Sequence, residues 1–304
     1  EVIIMNKNMT ALVSAFARAY HSKKSDVKIY DDTLAKKILT NREYESIKKN
    51  MTDGINFFYP SFCGTEDEAL DRIVYGSLAP SPLGRAAFAN SSLKTAVNIG
   101  TEQYIVCGAG YDTFSYRRPE WALSLKIFEV DKKEMIKDKL LRLKEADIDV
   151  PESTEYIALD FSEENIGAAL LKNKNFDKSQ KSFFSLLGLI YYISQKDFEK
   201  TLNDFSQIAP VGSSVIFDYP EKSGSEDFKK HSALAAAANE KMLSEYSYSE
   251  IEKILSKNGF LIYEHLTPDE ITDRFFSSYN KANPDKNIKA LDGVNYCLAV
   301  RQNI

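Results

Sequence analysis

A short apolar run that ends in a glycine turn, Tyr104-Ile105-Val106-Cys107-Gly108-Ala109-Gly110, constrains this chain more than any other segment. An apolar run stopped by glycine reads as a buried strand. Gly108 and Gly110 allow the backbone to turn sharply and to approach a ligand without interference from a Cβ. A second apolar run follows and ends in acids, Phe128-Glu129-Val130-Asp131. A buried strand, a tight turn and an acid closing the next strand is how an α/β sheet holds a nucleoside-containing cofactor. The six-residue nicotinamide fingerprint is absent, because Thr113 occupies the place of its third glycine. No phosphate-binding Gly-Lys-Ser/Thr loop is present either.

The rest of the chain fits such a sheet. Strands are expected at 103–107, 125–130, 154–159, 181–187, 212–217, 259–265 and 294–300, with helices at 132–145, 162–171, 195–208 and 249–258 between most of them. That alternation predicts an α/β fold with a mostly parallel sheet of seven strands, covered on both faces. The first hundred residues carry helical spacing at Met9 to Tyr20, Asp32 to Leu39 and Glu66 to Leu78, with an aromatic loop at Asn56 to Gly64. Ser81-Pro82 reads as an N-cap and first turn of a further helix to about Val97. Capping boxes are expected at Ser249 with Glu252 and at Thr267 with Glu270. The predicted organisation is one domain over 1–304, with a helical cover (1–100), a cofactor-binding core (101–304) and a helical insertion (220–248). The insertion follows the fifth strand at the carboxyl edge of the sheet, so it is placed either to act as a lid or to pack there as a peripheral helix.

Composition narrows the function classes. The net charge of -5 opposes a nucleic-acid partner, which needs clustered Lys and Arg. No run of 18 apolar residues occurs, so no membrane span is expected. Three cysteines (Cys63, Cys107, Cys297) give no disulfide framework, and Cys107 and Cys297 lie in strand-like runs as inert thiols, suiting a cytoplasmic setting. His21, His231 and His265 are too widely spaced for a usual zinc site, so no metal is expected.

The acids at strand ends suggest specific roles. Asp131, at the exit of the second strand, is placed to accept both ribose hydroxyls, with Glu129 second. Asp160 after the third strand is placed to accept the exocyclic amine of adenine, with Phe161 covering the ring edge, or to cap the next helix.

Taken together these segments resemble the leucine carboxyl methyltransferase and polyketide O-methyltransferase group of class I S-adenosylmethionine-dependent methyltransferases. The most specific element is Val106-Cys107-Gly108-Ala109-Gly110-Tyr111-Asp112-Thr113-Phe114-Ser115-Tyr116-Arg117. Phe128-Glu129-Val130-Asp131 is similar to the family's ribose site, and Leu159-Asp160-Phe161 to its adenine side. Asp31-Asp32-Thr33-Leu34-Ala35 resembles the family's Asp-Pro-x-Ala segment, with Thr33 in place of proline. The resemblance implies a Rossmann-like fold and S-adenosyl-L-methionine as cofactor. It also implies Arg85 near the methionine carboxylate and, with an uncertain register, Lys28. In Ser185-Leu186-Leu187-Gly188-Leu189-Ile190-Tyr191-Tyr192, Leu187 stands where many members place a glutamate that contacts the methionine amine. That group must then be held by main-chain carbonyls near Gly108 or Leu186, or by another acid.

The implied reaction is methyl transfer to a carboxylate or hydroxyl of a small molecule. A carboxylate needs no general base, whereas a hydroxyl is helped by one. Candidates are His21, Tyr192 and Tyr219, with His231 at the start of the insertion. Tyr20, Tyr30 and Tyr191 are further candidates for the acceptor pocket. Arg117 either pairs with an acceptor carboxylate or braces Asp112 or the first helix. Competing readings are a non-catalytic relative that holds an adenosyl ligand, a protein C-terminal carboxyl methyltransferase, and a nicotinamide-dependent oxidoreductase.

Overall fold

A computed structural model describes residues 8–222, 226–237 and 240–303, without the side chains of 226, 227, 231, 234 and 237. The expected lid candidate at 220–248 therefore falls partly outside the described residues, as does the side chain of His231.

All seven expected strands are present: β1 (Thr101–Cys107), β2 (Lys126–Asp131), β3 (Thr154–Ala158), β4 (Lys181–Leu186), β5 (Ser214–Pro220), β6 (Phe260–Leu266) and β7 (Val294–Arg301). They form one sheet in the order β3-β2-β1-β4-β5-β7-β6. β7 runs antiparallel between β5 and β6, and the other described pairings are parallel. The chain leaves β1 towards β2 on one side, while β4 takes up the other side. The strand order thus reverses beside β1, and a crevice opens at the carboxyl ends of the strands there, where open α/β sheets bind ligands.

The front region is helical, as expected: α1 (Met9–Lys24), α2 (Ala35–Ile38), α3 (Asn41–Asp53), α4 (Ile55–Phe58), α5 (Glu66–Ile73) and α6 (Pro80–Asn98). A wider π turn over Val74–Leu78 joins the last two. The sequence reading missed α3, although Thr40 and Glu43 form its capping box. It also read α4 as loop. α6 begins at Pro80 and not after a Ser81 cap, because prolines at 80 and 82 sit in a first turn that needs no N–H.

Behind β2 lies α7 (Lys133–Glu145), followed by α8 (Ile166–Lys172), α9 (Gln195–Ile208), α10 (Glu226–Ala237), α11 (Tyr248–Lys257), α12 (Pro268–Ile271) and α13 (Ser277–Ala282). The box at Thr267 and Glu270 is formed as expected. The other is set two residues earlier than expected, at Ser247 and Glu250, so α11 starts one residue sooner.

Side chains alternate between two cores along the strands. Tyr104, Val106, Ile127, Phe183 and Ile216 pack against α1 and α6, while Ile105, Cys107, Phe128, Phe184 and Phe217 pack against α8, α9 and α11. Cys107 and Cys297 are buried, as expected. Among the described residues no helix is long and apolar enough to cross a membrane.

Candidate functional site

The glycine turn forms because β1 must stop and reverse under α1. Gly108 and Gly110 take φ of +69° and +47°, a left-handed conformation that other residues adopt at a cost. The N–H groups of Gly108 and Ala109 both donate to Val130 O, at 2.8 and 3.2 Å, tying the turn to the end of β2. A Cβ at Gly110 would stand 3.6 Å from Ala11 Cβ, and one at Gly108 would stand 3.2 Å from Leu189 Cδ1. The turn is therefore walled by α1 above and by the loop after β4 beside it.

Asp131 lies at the exit of β2, as the sequence suggests. Its Oδ2 accepts from Gly110 N at 2.7 Å, and its Oδ1 accepts from Lys132 N at 2.7 Å. Burial pushes its carboxyl above the ordinary value, against those two N–H bonds and the Lys139 and Lys132 charges. Each oxygen keeps a lone pair for a further donor. Asp160 is more exposed. It pairs with Lys132 Nζ at 2.8 Å and accepts from the N–H and hydroxyl of Ser162 at 3.0 and 2.6 Å. Burial raises its carboxyl, but the lysine and serine outweigh that and hold it down to about 2. It does not cap α8, whose N-cap is Asn165.

Four expected site residues are placed elsewhere. Glu129 is sealed under α7, 1% exposed, paired with Lys139 Nζ at 2.6 Å and accepting from Tyr116 OH at 3.1 Å. The strand does persist to Asp131, so both acids share a face, but Glu129 sits two residues inside the exit. Phe161 is buried with Leu159 and Ile166 in the core against α8. Lys28 donates to the carbonyls of Ser22 and Ser25, closing the carboxyl end of α1, where a cation meets unpaired carbonyls. Tyr219 lies on the opposite face of the sheet, fully buried, with its hydroxyl 2.8 Å from His265 Nε2. Tyr219→Phe is expected to lower stability by about 1 kcal/mol and to leave turnover unchanged. A tenfold fall in kcat at unchanged stability would return Tyr219 to the site.

His21 is buried as well. It is 0% exposed, accepts from Ile29 N at Nε2 (2.9 Å) and packs against Tyr75 and Tyr279. Burial, aided by the Lys28 charge, lowers it to about 4, so the ring is neutral at physiological pH. Tyr20 bonds to Asp71, and Tyr30 to Arg117. Arg117 is a brace, but its anchor is Asp32 and not Asp112: Nε reaches Asp32 Oδ1 at 3.1 Å and Thr113 Oγ1 at 2.8 Å.

Beside the glycine turn, across α1, lies a cavity of about 250 Å³. Met9, Thr10 and Val13 of α1, Met51, Leu78, and Phe228 of α10 form much of its wall, together with Arg85, Gly188, Tyr191 and Tyr192. The described part of the 220–248 insertion thus covers this cavity through Phe228, Ala235 and Met242. It is fastened there by Leu243 N to Tyr191 O at 2.7 Å and by Ser244 Oγ to Ile193 O at 2.6 Å.

Arg85 makes no hydrogen bond among the described residues. Its one ion pair is with Asp218 Oδ2, 3.5 Å from Nη1. Gly188 permits this placement, since a Cβ there would lie 2.8 Å from Arg85 Cζ. Asp218 is the residue that the sequence reading missed. It is 0% exposed and accepts from Gly188 N at 2.6 Å and Tyr191 OH at 2.8 Å. The signal was available: Val215-Ile216-Phe217-Asp218 is a third apolar strand that meets an acid near its end. Burial, and then the Asp218 charge, raise the Tyr191 hydroxyl well above its ordinary value.

The sequence profile of the leucine carboxyl methyltransferase family matches residues 11–206. The chain is 36% identical over 311 aligned positions to YktD of Bacillus subtilis (strain 168), whose name gives it as a candidate S-adenosyl-L-methionine-dependent methyltransferase. That alignment covers 98% of this chain and 100% of YktD. A DUF574 family protein from Streptomyces avermitilis shares the fold at a TM-score of 0.61 and 14% identity, over 95% of this chain and 97% of its own. A candidate methyltransferase from Thermobifida fusca does so at 0.56 and 13%, over 84% and 94%. The chain belongs to the leucine carboxyl methyltransferase family.

Proposed function

We propose that the protein transfers a methyl group from S-adenosylmethionine to an oxygen of a small-molecule acceptor. Its family makes it an S-adenosylmethionine-dependent methyltransferase; the oxygen acceptor is our own reading. The observation that carries it is the pairing of two sites through shared walls: the glycine turn with Asp131 on one side of α1, and the Arg85 cavity on the other.

The donor set fits the cofactor. Asp131 has free lone pairs for ribose hydroxyls, Asp160 for an amine, and Arg85, ion-paired with Asp218 but without a hydrogen bond among the described residues, has N–H donors for a carboxylate. Asp218 holds Arg85 and brings a carboxylate to the turn at Gly188, directly after Leu187. When bound, S-adenosylmethionine supplies an already activated methyl group, so the chain's task is chiefly positioning. Calorimetry with S-adenosylmethionine, S-adenosylhomocysteine and NAD tests the assignment. Binding of both adenosyl compounds and not of NAD is expected, and binding of NAD alone refutes it.

A further inference from the structure

We infer that Asp218 makes the Arg85 end of the site selective for a zwitterion, the α-amino acid end of S-adenosylmethionine, over a simple carboxylate. This rests on the reading of the neighbouring turn as the S-adenosylmethionine site. Asp218 is a positioning residue. It is 0% exposed and stands behind the lining formed by Arg85, Gly188 and Tyr191, so it acts through them.

Both of its oxygens are engaged from within the fold. Gly188 N donates to Oδ1 at 2.6 Å, and Tyr191 OH donates to Oδ2 at 2.8 Å. Arg85 Nη1 lies 3.5 Å from Oδ2, an ion pair without a hydrogen bond. Asp218 thereby holds the guanidinium by charge and leaves its N–H fork to a ligand carboxylate; a bidentate pair would have used those donors. The guanidinium rests against the backbone of the turn after β4. Gly188 has φ of +66°, and a Cβ there would lie 2.8 Å from Arg85 Cζ and 2.9 Å from Nη2.

Charge decides what this arrangement accepts. The hydroxyls that act on Arg85 are those of Tyr191, Tyr192 and Tyr296, and burial raises all three, so they stay neutral at physiological pH. The turn from Leu187 to Tyr192 contains no acid, so the anion beside Arg85 comes from β5. Arg85 and Asp218 together carry no net charge. A ligand with a carboxylate alone would leave one negative charge in excess next to a buried carboxylate. An ammonium on the neighbouring ligand carbon cancels that excess, and an α-amino acid end carries both groups at neutral pH. Because Asp218 is shielded from water, its field crosses Gly188 with little screening.

The test is calorimetry on the full chain at neutral pH, with three adenosyl thioethers that differ at this end. S-adenosylhomocysteine carries the ammonium and the carboxylate, its deaminated analogue keeps the carboxylate, and methylthioadenosine has neither. The parent is expected to bind S-adenosylhomocysteine about tenfold more tightly than the deaminated analogue, the worth of one partly buried charge interaction. In Asp218→Asn that ratio is expected to fall to about one, with methylthioadenosine affinity unchanged. Arg85→Met reads the same charge without altering Asp218, and it decides the matter if Asp218→Asn does not fold. There the deaminated analogue is expected to bind about tenfold more weakly than methylthioadenosine, because Asp218 then faces its carboxylate alone. A parent-like ratio in Asp218→Asn overturns the proposal, as does an Arg85→Met protein that binds the analogue as well as methylthioadenosine. Loss of methylthioadenosine binding in a folded Asp218→Asn protein also overturns it, because that marks a merely structural role. A parent that binds methylthioadenosine and gains nothing from the amino acid end overturns this proposal alone, whereas absence of all adenosyl binding overturns the donor assignment beneath it.

Discussion

Asp32→Ala is expected to cost about 3–5 kcal/mol of folding stability, because it leaves a buried arginine and a half-buried one without their anion. Asp32 is 1% exposed and lies between Arg18 Nε at 2.8 Å and Arg117 Nε at 3.1 Å, with the Thr113 hydroxyl donating to it as well. Arg18 extends the network by donating to Tyr111 O at 2.7 Å. One carboxylate thereby fastens α1 to the residues that follow the glycine turn. Urea unfolding monitored by circular dichroism measures the loss, and a change below about 1 kcal/mol, the size expected of a surface pair, would remove Asp32 from this role. The pH dependence has a definite sign. Burial alone raises this carboxyl, but Arg18, Arg117 and Thr113 outweigh it and hold it below the ordinary value of 3.8. The stabilisation is therefore complete above that value and is lost as pH falls through the lowered one. Asp32→Asn removes the charge, so its stability is expected to fall less steeply in acid than that of the parent.

Asp131→Ala is expected to weaken S-adenosylmethionine binding about 10- to 100-fold, the worth of hydrogen bonds to a charged group. The carboxylate is the proposed acceptor for ribose hydroxyls, and it also fixes Gly110 through the 2.7 Å bond from its N–H. Asp131→Asn separates the two contributions, because an amide oxygen can still accept from Gly110 while the charge is gone. Calorimetric titration reads both variants. Parent-like affinity in Asp131→Ala would refute the ribose assignment, and parent-like affinity in Asp131→Asn would show that shape and not charge matters.

Much of the scaffold was legible because the signals were local. Most strands announced themselves as apolar runs ended by glycine, proline or acid, and the boundaries agree to within a few residues. α3 was missed although Thr40 and Glu43 carry a capping box, because few apolar residues mark its face: Tyr44 and Ile47 are the buried ones. The site was legible only where chemistry sits at a strand exit. That rule selects Asp131 and Asp160 as candidates, and applied once more it selects Asp218. Glu129 was misjudged because the rule says nothing of Lys139, ten residues on, which claims that carboxylate under α7. Tyr219 was misjudged because proximity to a strand end does not reveal which face of the sheet a side chain takes.

The sequence by itself determined the α/β sheet, the glycine turn and the family, since each rests on residues close together in the chain. Only the tertiary structure decided which groups meet. Arg85 from α6, Asp218 from β5 and Gly188 after β4 come together across more than a hundred residues. Asp32 joins Arg18 to Arg117 in the same way. Such pairings depend on the strand order, with β4 beside β1 and β5 beside β4, and no local pattern encodes that order. The burial of His21 is likewise a property of packing, because its contacts with Ile29, Tyr75 and Tyr279 cannot be read from its place in the chain.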